Sequence, residues 1–281
     1  MPTYLDRILA AHRAGAAADR RPVGELIAAA HAVTMPARGF AGALREGAGV
    51  SVIAEIKRRS PSKGTLAPDL DPPDLARSYR DGGAACLSVL TDAEFFGGSP
   101  GDVSQTRAAV ALPVLRKDFT LRPADVCDTR LMGADALLLI AAALSPKELA
   151  ELLALASTLD LDALVEVHEE TEAETALALG ATLIGVNQRD LVTFAVDPGR
   201  AERLAGILPD TVVRVAESGI RTGDDVARLG DAGYDAVLVG ESLVTAVDPA
   251  AAVRSLVAGA GSGRRAARQA GVRAAASGHR A

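Results

Sequence analysis

The sequence predicts an α/β protein: a (β/α)8 TIM-type barrel over residues 49–258, with extra N-terminal helices over 1–48 and a disordered, basic, Arg-rich tail over 259–281. Three observations carry this. Eight short aliphatic segments alternate with segments of helical spacing, at a period of roughly 20–35 residues. Hydrophobic residues make up 49% of the chain and aromatics only 3%, so the core is built of Ala, Val, Leu and Ile. That usage suits parallel strands covered on both faces. Ionisable residues also recur at the ends of the aliphatic segments, where a barrel of this class carries its site.

The helical patterns "YLDRILAAHRAGAAADRR" and "VGELIAAAHAV" come first, as added helices packed on the barrel and placed where they could lid one end. The strands follow in order as "SVIAEI", "ACLSVL", "PVLR", "DALLLI", "ALVEV", "TLIGV", "VVRVA" and "DAVLVG". Between them, several helical segments open on Ser, Asp, Thr or Pro, which suit helix starts. Several close on Gly, at Gly83, Gly133, Gly180 and Gly233, as helix C-termini do. A doubly wound open sheet is the competing architecture. No GxGxxG follows the first strand, and a count of eight favours closure.

Net charge is −6, yet from Ala260 on the chain has arginines at 264, 265, 268, 273 and 280 and no acid. This Gly/Ala/Ser-rich segment reads as a solvated extension rather than a nucleic-acid contact, because no aromatic interleaves the arginines. The longest apolar run, 136–144, is too short to span a bilayer. The first residues carry scattered charges and no apolar signal core. Two cysteines, Cys86 and Cys127, fit a reducing cytosol and no disulfide scaffold. The expectation is a cytoplasmic, monomeric protein with no membrane or nucleic-acid partner and no metal site.

The stretch "SVIAEIKRRSPSKG" puts Glu55 and Lys57 two residues apart, hence on one face of the first strand. Lys117 follows the third strand, Glu166 ends the fifth, Asn187 and Arg189 follow the sixth, and Glu217 and Ser218 the seventh. A buried ion is costly unless paired. Structural ion pairs closing the barrel are the plain alternative, but such pairs need not gather at one end. Clustered lysines and carboxylates shift one another's proton affinity, which divides acid and base roles near neutral pH. Gly219 and Gly240, in the loops after strands seven and eight, let backbone N–H groups approach an anion, as phosphate sites of this fold do. Glu241 beside Gly240 would repel phosphate unless it turns away. His168 is a candidate proton carrier two residues past Glu166, or simply part of a helix-capping stretch; His12 and His31 carry no functional expectation.

The segments "IAEIKRRSPSKG", "VLTDAEFFGGS", "PVLRKDF", "GADALLLIAAAL", "LVEVH", "IGVNQRDL" and "AESGI" resemble the signature segments of indole-3-glycerol phosphate synthases, in the family's order, over roughly residues 4–257. The resemblance implies a carboxy-lyase of tryptophan biosynthesis. It would act on 1-(o-carboxyphenylamino)-1-deoxyribulose 5-phosphate, a small phosphorylated substrate, with no metal or organic cofactor. It further implies Lys117 as the acid for ring closure and Glu166 as a partner in dehydration, with Glu55, Lys57 and Glu217 alongside. Ser60, Phe119, Asn187, Arg189 and Ser218 would position the substrate, and Lys57, Gly219, Gly240 and Glu241 would lie at its phosphate. The departures from the family pattern are Gln188, Ala216, Glu241 and Arg59. A phosphoribosylanthranilate isomerase would place a cysteine at the end of strand one, where Glu55 and Lys57 stand. A Schiff-base aldolase on Lys57 or Lys117 would be trapped by borohydride. A non-enzymatic barrel would have lost a proton-transfer residue, and Glu55, Lys57, Lys117 and Glu166 are all present.

Overall fold

Every aliphatic segment forms a strand, and the eight strands close. In the computed structural model, which describes residues 3–261, they are β1 Ser51–Ile56, β2 Cys86–Leu90, β3 Val114–Lys117, β4 Ala136–Ile140, β5 Asp162–Val167, β6 Leu183–Asn187, β7 Val213–Glu217 and β8 Ala236–Val239. All pairings are parallel, and β1 pairs with both β2 and β8. That closure excludes the open sheet.

The helices are α1 Tyr4–Ala18, α2 Val23–His31, α3 Phe40–Glu46, α4 Pro72–Gly82, α5 Ala93–Phe96, α6 Pro100–Ala109, α7 Pro123–Leu131, α8 Pro146–Thr158, α9 Glu170–Ala178, α10 Arg200–Ala205, α11 Gly223–Asp231, α12 Glu241–Val244 and α13 Pro249–Gly259. Asp71, Ser99, Ser145, Thr222 and Asp248 each accept a backbone N–H three residues on, at the starts of α4, α6, α8, α11 and α13. Gly83, Gly133, Gly180 and Gly233 take φ of 92°, 82°, 84° and 98°, the left-handed stop read from the sequence.

Side-chain alternation makes two cores. Val52, Ala54, Leu87, Val89, Val165, Val167, Val237 and Val239 face outward to the helices. Ile53, Cys86, Leu115, Leu138, Leu164, Val213, Val215 and Leu238 fill the barrel interior. The interior set ends, going up each strand, at the charged residues of the mouth.

The N-terminal extension serves both ends of the barrel. Tyr4, Leu5 and Ile8 of α1 line the cavity at the C-terminal ends of the strands. α3, which the sequence did not mark as a separate helix, closes the opposite end. Its Phe40 and Leu44 are fully buried against the interior core, and burial of each is worth about 1.5–3 kcal/mol. Ser51 Oγ donates to Leu44 O, and Asp162 accepts the Ala41 N–H, so the starts of β1 and β5 hold the plug.

α13 runs through Gly259, and Ala260 O accepts the Val50 N–H at 3.3 Å. Residues 259–261 therefore finish the barrel rather than begin a tail. The disorder expected further on falls on residues 262–281, outside the described residues. Among the described residues no helix is long and apolar enough to cross a membrane.

Candidate active site at the barrel mouth

Inward-facing positions of β1, β3, β5, β6 and β7 deliver one charged cluster to the mouth. Lys117 Nζ donates to Glu166 Oε2 at 2.8 Å and to Glu217 Oε2 at 2.6 Å. Asn187 Nδ2 donates to the other oxygen of Glu166 at 3.0 Å. Lys57 Nζ donates to Glu55 Oε1 at 2.5 Å, the pairing that the shared strand face required. Glu55, Glu166 and Glu217 are all buried. So three buried carboxylates share two ammonium groups, an arrangement that cannot be fully charge-balanced by these side chains alone.

The imbalance splits their proton affinities. Burial pushes the Lys117 ammonium toward deprotonation, but the charges of Glu166, Glu217 and Glu55 outweigh it and hold its pKa above the ordinary lysine value. Burial would raise Glu166, but Lys117 first, then His168 and Asn187, bring it down to about 2. Glu217 goes the other way, to about 7: burial raises it, Lys117 only partly offsets that, and the charges of Glu166 and Glu55 add to the rise. Near neutral pH the site therefore holds a firm cation, a firm anion and a carboxyl group that gains or loses a proton easily.

Two glycines make room for these acids. Gly185 on β6 pairs in register with Glu166, and a Cβ there would lie 2.2 Å from Glu217 Oε1 and 3.2 Å from Leu164 Cδ1. An isolated glycine inside "TLIGV" signals such a close approach. Gly185→Ala is expected to expel the Glu217 carboxylate from its place beside Lys117. Activity should fall while circular dichroism stays barrel-like, and a fully active Ala variant would contradict this packing. Gly240, expected at a phosphate, also stands against the ion pair: a Cβ there would lie 2.4 Å from Glu55 Oε1 and 3.2 Å from Lys57 Nζ.

All thirteen site residues implied by the family resemblance line one cavity of about 610 Å³, a size suited to a small molecule; His168 does not line it. Phe119 forms an aromatic wall with Phe96, ring centroids 6.4 Å apart. Arg189 Nη1 donates to Phe194 O at 3.1 Å and so braces the loop after β6. Ser218 and Gly219 both take left-handed backbone, φ 67° and 76°, and turn the loop after β7 across the cavity. Gln188 Nε2 donates to Ser218 O at 2.8 Å and ties the two loops together. Glu241 turns toward Lys63, with Oε1 3.5 Å from Nζ, so its carboxylate is engaged by the loop after β1.

That loop is pinned rather than free. Arg58 pairs with Asp102 of α6, and Arg59 donates to the carbonyls of Ala93 and Glu94. α1 adds Tyr4, Leu5 and Ile8 to the wall, in keeping with N-terminal helices placed to lid one end, but the sequence reading missed His12. His12 Nε2 lies 2.9 Å from Asp92 Oδ2 and 3.9 Å from Asp118 Oδ1, and its ring packs on Phe119 at 5.1 Å. These three polar side chains come within 4.8 Å of one another. Each carboxylate already has work, Asp92 capping α5 and Asp118 pairing with Arg116, so the cluster reads as a clasp fixing α1 to the mouth. Only His12, eighty residues before Asp92, could have signalled it, and that separation hides the contact.

The fold and the mouth define a (β/α)8 barrel that carries a buried lysine–carboxylate cluster at the C-terminal ends of its strands. Over residues 5–256 the chain matches the family model for indole-3-glycerol phosphate synthase. It is 50% identical over 256 residues to the indole-3-glycerol phosphate synthase of Mycobacterium ulcerans, covering 91% of this chain and 94% of that one. It is 48% identical over 246 residues to that of Chlorobium luteolum, covering 86% and 94%. The chain belongs to the indole-3-glycerol phosphate synthase family, the carboxy-lyases that form indole-3-glycerol phosphate in tryptophan biosynthesis. Among solved structures, a thiamine phosphate pyrophosphorylase from Pyrococcus furiosus superposes with TM-score 0.58 at 17% identity, over 77% of this chain and 97% of that one. A 3-hexulose-6-phosphate synthase superposes with TM-score 0.58 at 16% identity, over 75% and 100%. These two share the fold.

Proposed function

We propose that Lys117, Glu166 and Glu217 are the proton-transfer centre by which the chain turns 1-(o-carboxyphenylamino)-1-deoxyribulose 5-phosphate into indole-3-glycerol phosphate, CO2 and water. The observation that carries the reading is one buried ammonium held between two carboxylates of opposite proton affinity. In ring closure, the aromatic carbon bearing the carboxylate attacks the ketose carbonyl, and Lys117 protonates the oxygen as charge develops on it. Loss of CO2 restores the aromatic ring. In dehydration, Glu166 removes a hydrogen from the methylene carbon beside nitrogen, and the hydroxyl leaves as water with a proton from Lys117 or Lys57. Glu217 lends or takes the proton that resets Lys117.

The rest of the cavity positions substrate. Phe119 faces the anthranilate ring, and Ser60, Asn187, Arg189 and Ser218 hold the chain of hydroxyls. Lys57 and the backbone N–H groups near Gly219 and Gly240 meet the phosphate. Glu241 contributes there through its backbone only, since its carboxylate turns to Lys63. The chain is proposed to act as a monomer in the cytoplasm on a small phosphorylated substrate; the buried free thiols Cys86 and Cys127 fit a reducing compartment.

The test is turnover with EDTA present, following indole fluorescence and CO2. Wild type should turn over, and Glu166→Gln should lose about 10²–10⁴-fold in kcat, the usual weight of a general acid–base group. A folded wild type that makes no indole, or a Glu166→Gln variant of normal kcat, would refute the reading.

A further inference from the structure

His168 is a buried titratable group that the reaction above leaves unused. It follows β5 with the same inward parity as Leu164 and Glu166, and its side chain is only 9% exposed. Its Nε2 lies 3.5 Å from Glu166 Oε1, and its Nδ1 lies 3.5 Å from Glu172 Oε2 on the first turn of α9. Neither ring nitrogen completes a hydrogen bond, although each needs to move only about half an ångström to do so. Glu172 is steered to its place by the His168 backbone N–H, which donates to Oε2 at 2.6 Å. Side-chain exposure rises along the row, from 4% at Glu166 through 9% at His168 to 21% at Glu172. The row leads from the cluster at Lys117 to solvent beside α9, and His168 and Glu172 are not among the residues lining the substrate cavity.

The reaction needs such a path. The substrate's carboxylate leaves as neutral CO2. Its ketose oxygen leaves as water, with one hydrogen from the methylene carbon and one from solvent. Each turnover therefore consumes one proton, while a bound substrate covers the mouth through which that proton would otherwise come.

We propose that His168, with Glu172, is a proton inlet that resupplies Glu166 from the α9 side of the barrel, a role that rests on Glu166 belonging to the proton-transfer centre. Glu172 takes a proton from water and passes it to Nδ1 of the neutral imidazole. The imidazolium gives its Nε2 hydrogen to Glu166, and a ring flip returns the tautomer. Glu166 passes the proton on to the lysine that has lost one. Atoms and charge balance without any other reactant. The surroundings keep the relay loaded: burial disfavours the imidazolium, but Glu172, Glu166 and, farther off, Glu217 hold its pKa above the ordinary histidine value. As a positioning residue His168 also helps keep Glu166 ionised.

His168→Phe and His168→Gln fill the site without carrying protons, and Glu172→Gln blocks the outer end. With purified full-length enzyme, kcat of each should fall by about tenfold or more, most at alkaline pH where protons are scarce, with KM little changed. Added imidazole should restore kcat in His168→Gly, whose emptied site can hold it, and leave wild type unaffected. Normal kcat in all three variants would overturn the inlet. So would a reduced kcat that ignores imidazole and keeps the wild-type pH profile, which is what a structural role gives. Glu166→Gln, run beside them, separates the two ideas: if it is inactive while His168→Phe is normal, only the inlet fails.

Discussion

Lys117→Ala is expected to lower kcat by about 10²–10⁴-fold, with a smaller change in KM. The ammonium sits at hydrogen-bond distance from both Glu166 and Glu217, so its removal takes away the proposed acid and the charge that keeps Glu166 ionised. Among the described residues the other lysine lining the cavity, Lys57, is paired with Glu55 and is not held between Glu166 and Glu217. An unpaired buried carboxylate commonly costs 3–5 kcal/mol. Here the cost is relieved, because Glu217 already favours its protonated form and takes up a proton at little expense. Steady-state kinetics and a melting curve check both parts. The variant should remain folded and be nearly inactive, and a variant with wild-type kcat would remove Lys117 from the chemistry.

Glu217→Gln should make the protein more stable at alkaline pH while impairing it as a catalyst. The folded-state affinity of Glu217 for its proton is raised from 4.5 to about 7. A group with a raised folded pKa contributes stability that is fully present below its unfolded value and is lost as pH rises through the folded one. Between pH 4.5 and 7 wild type should therefore lose stability from this group, and a glutamine, which stays neutral, should not. At pH 4 the two proteins should melt alike; at pH 8 the variant should melt at the higher temperature. Glu166 has the opposite sign: held down to about 2, its contribution is present above 4.5 and fades as pH falls toward 2. Equal melting at both pH values would show that Glu217 is not the proton-holding member.

Much of this site could be read from strand parity. Glu55 and Lys57 had to share a face because side chains alternate along a strand, and they pair. Lys117, Glu166 and Glu217 each come two residues after an inward-facing aliphatic residue, and Asn187 two after the inward-facing Gly185, so a closed barrel gathers them without further information. What parity does not carry is which ion meets which. Glu217 lies 100 residues from Lys117, and its contact depends on the missing side chain of Gly185. The α3 plug escaped for a different reason. Seven residues, two of them large and apolar, are too few to show a helical period, and tertiary burial of Phe40 and Leu44 makes the helix. The clasp of His12 on Asp92 and Asp118 joins α1 to loops at least eighty residues away, a contact that only the folded chain creates.

The most direct measurement follows the two products separately in Lys117→Ala, using substrate labelled with ¹³C in the carboxylate. Ring closure must precede loss of CO2, so a closure acid at Lys117 predicts that labelled CO2 and indole disappear together, each by the same factor. Release of labelled CO2 at the wild-type rate without indole would contradict the account, because it would place Lys117 after the closure it is held to catalyse.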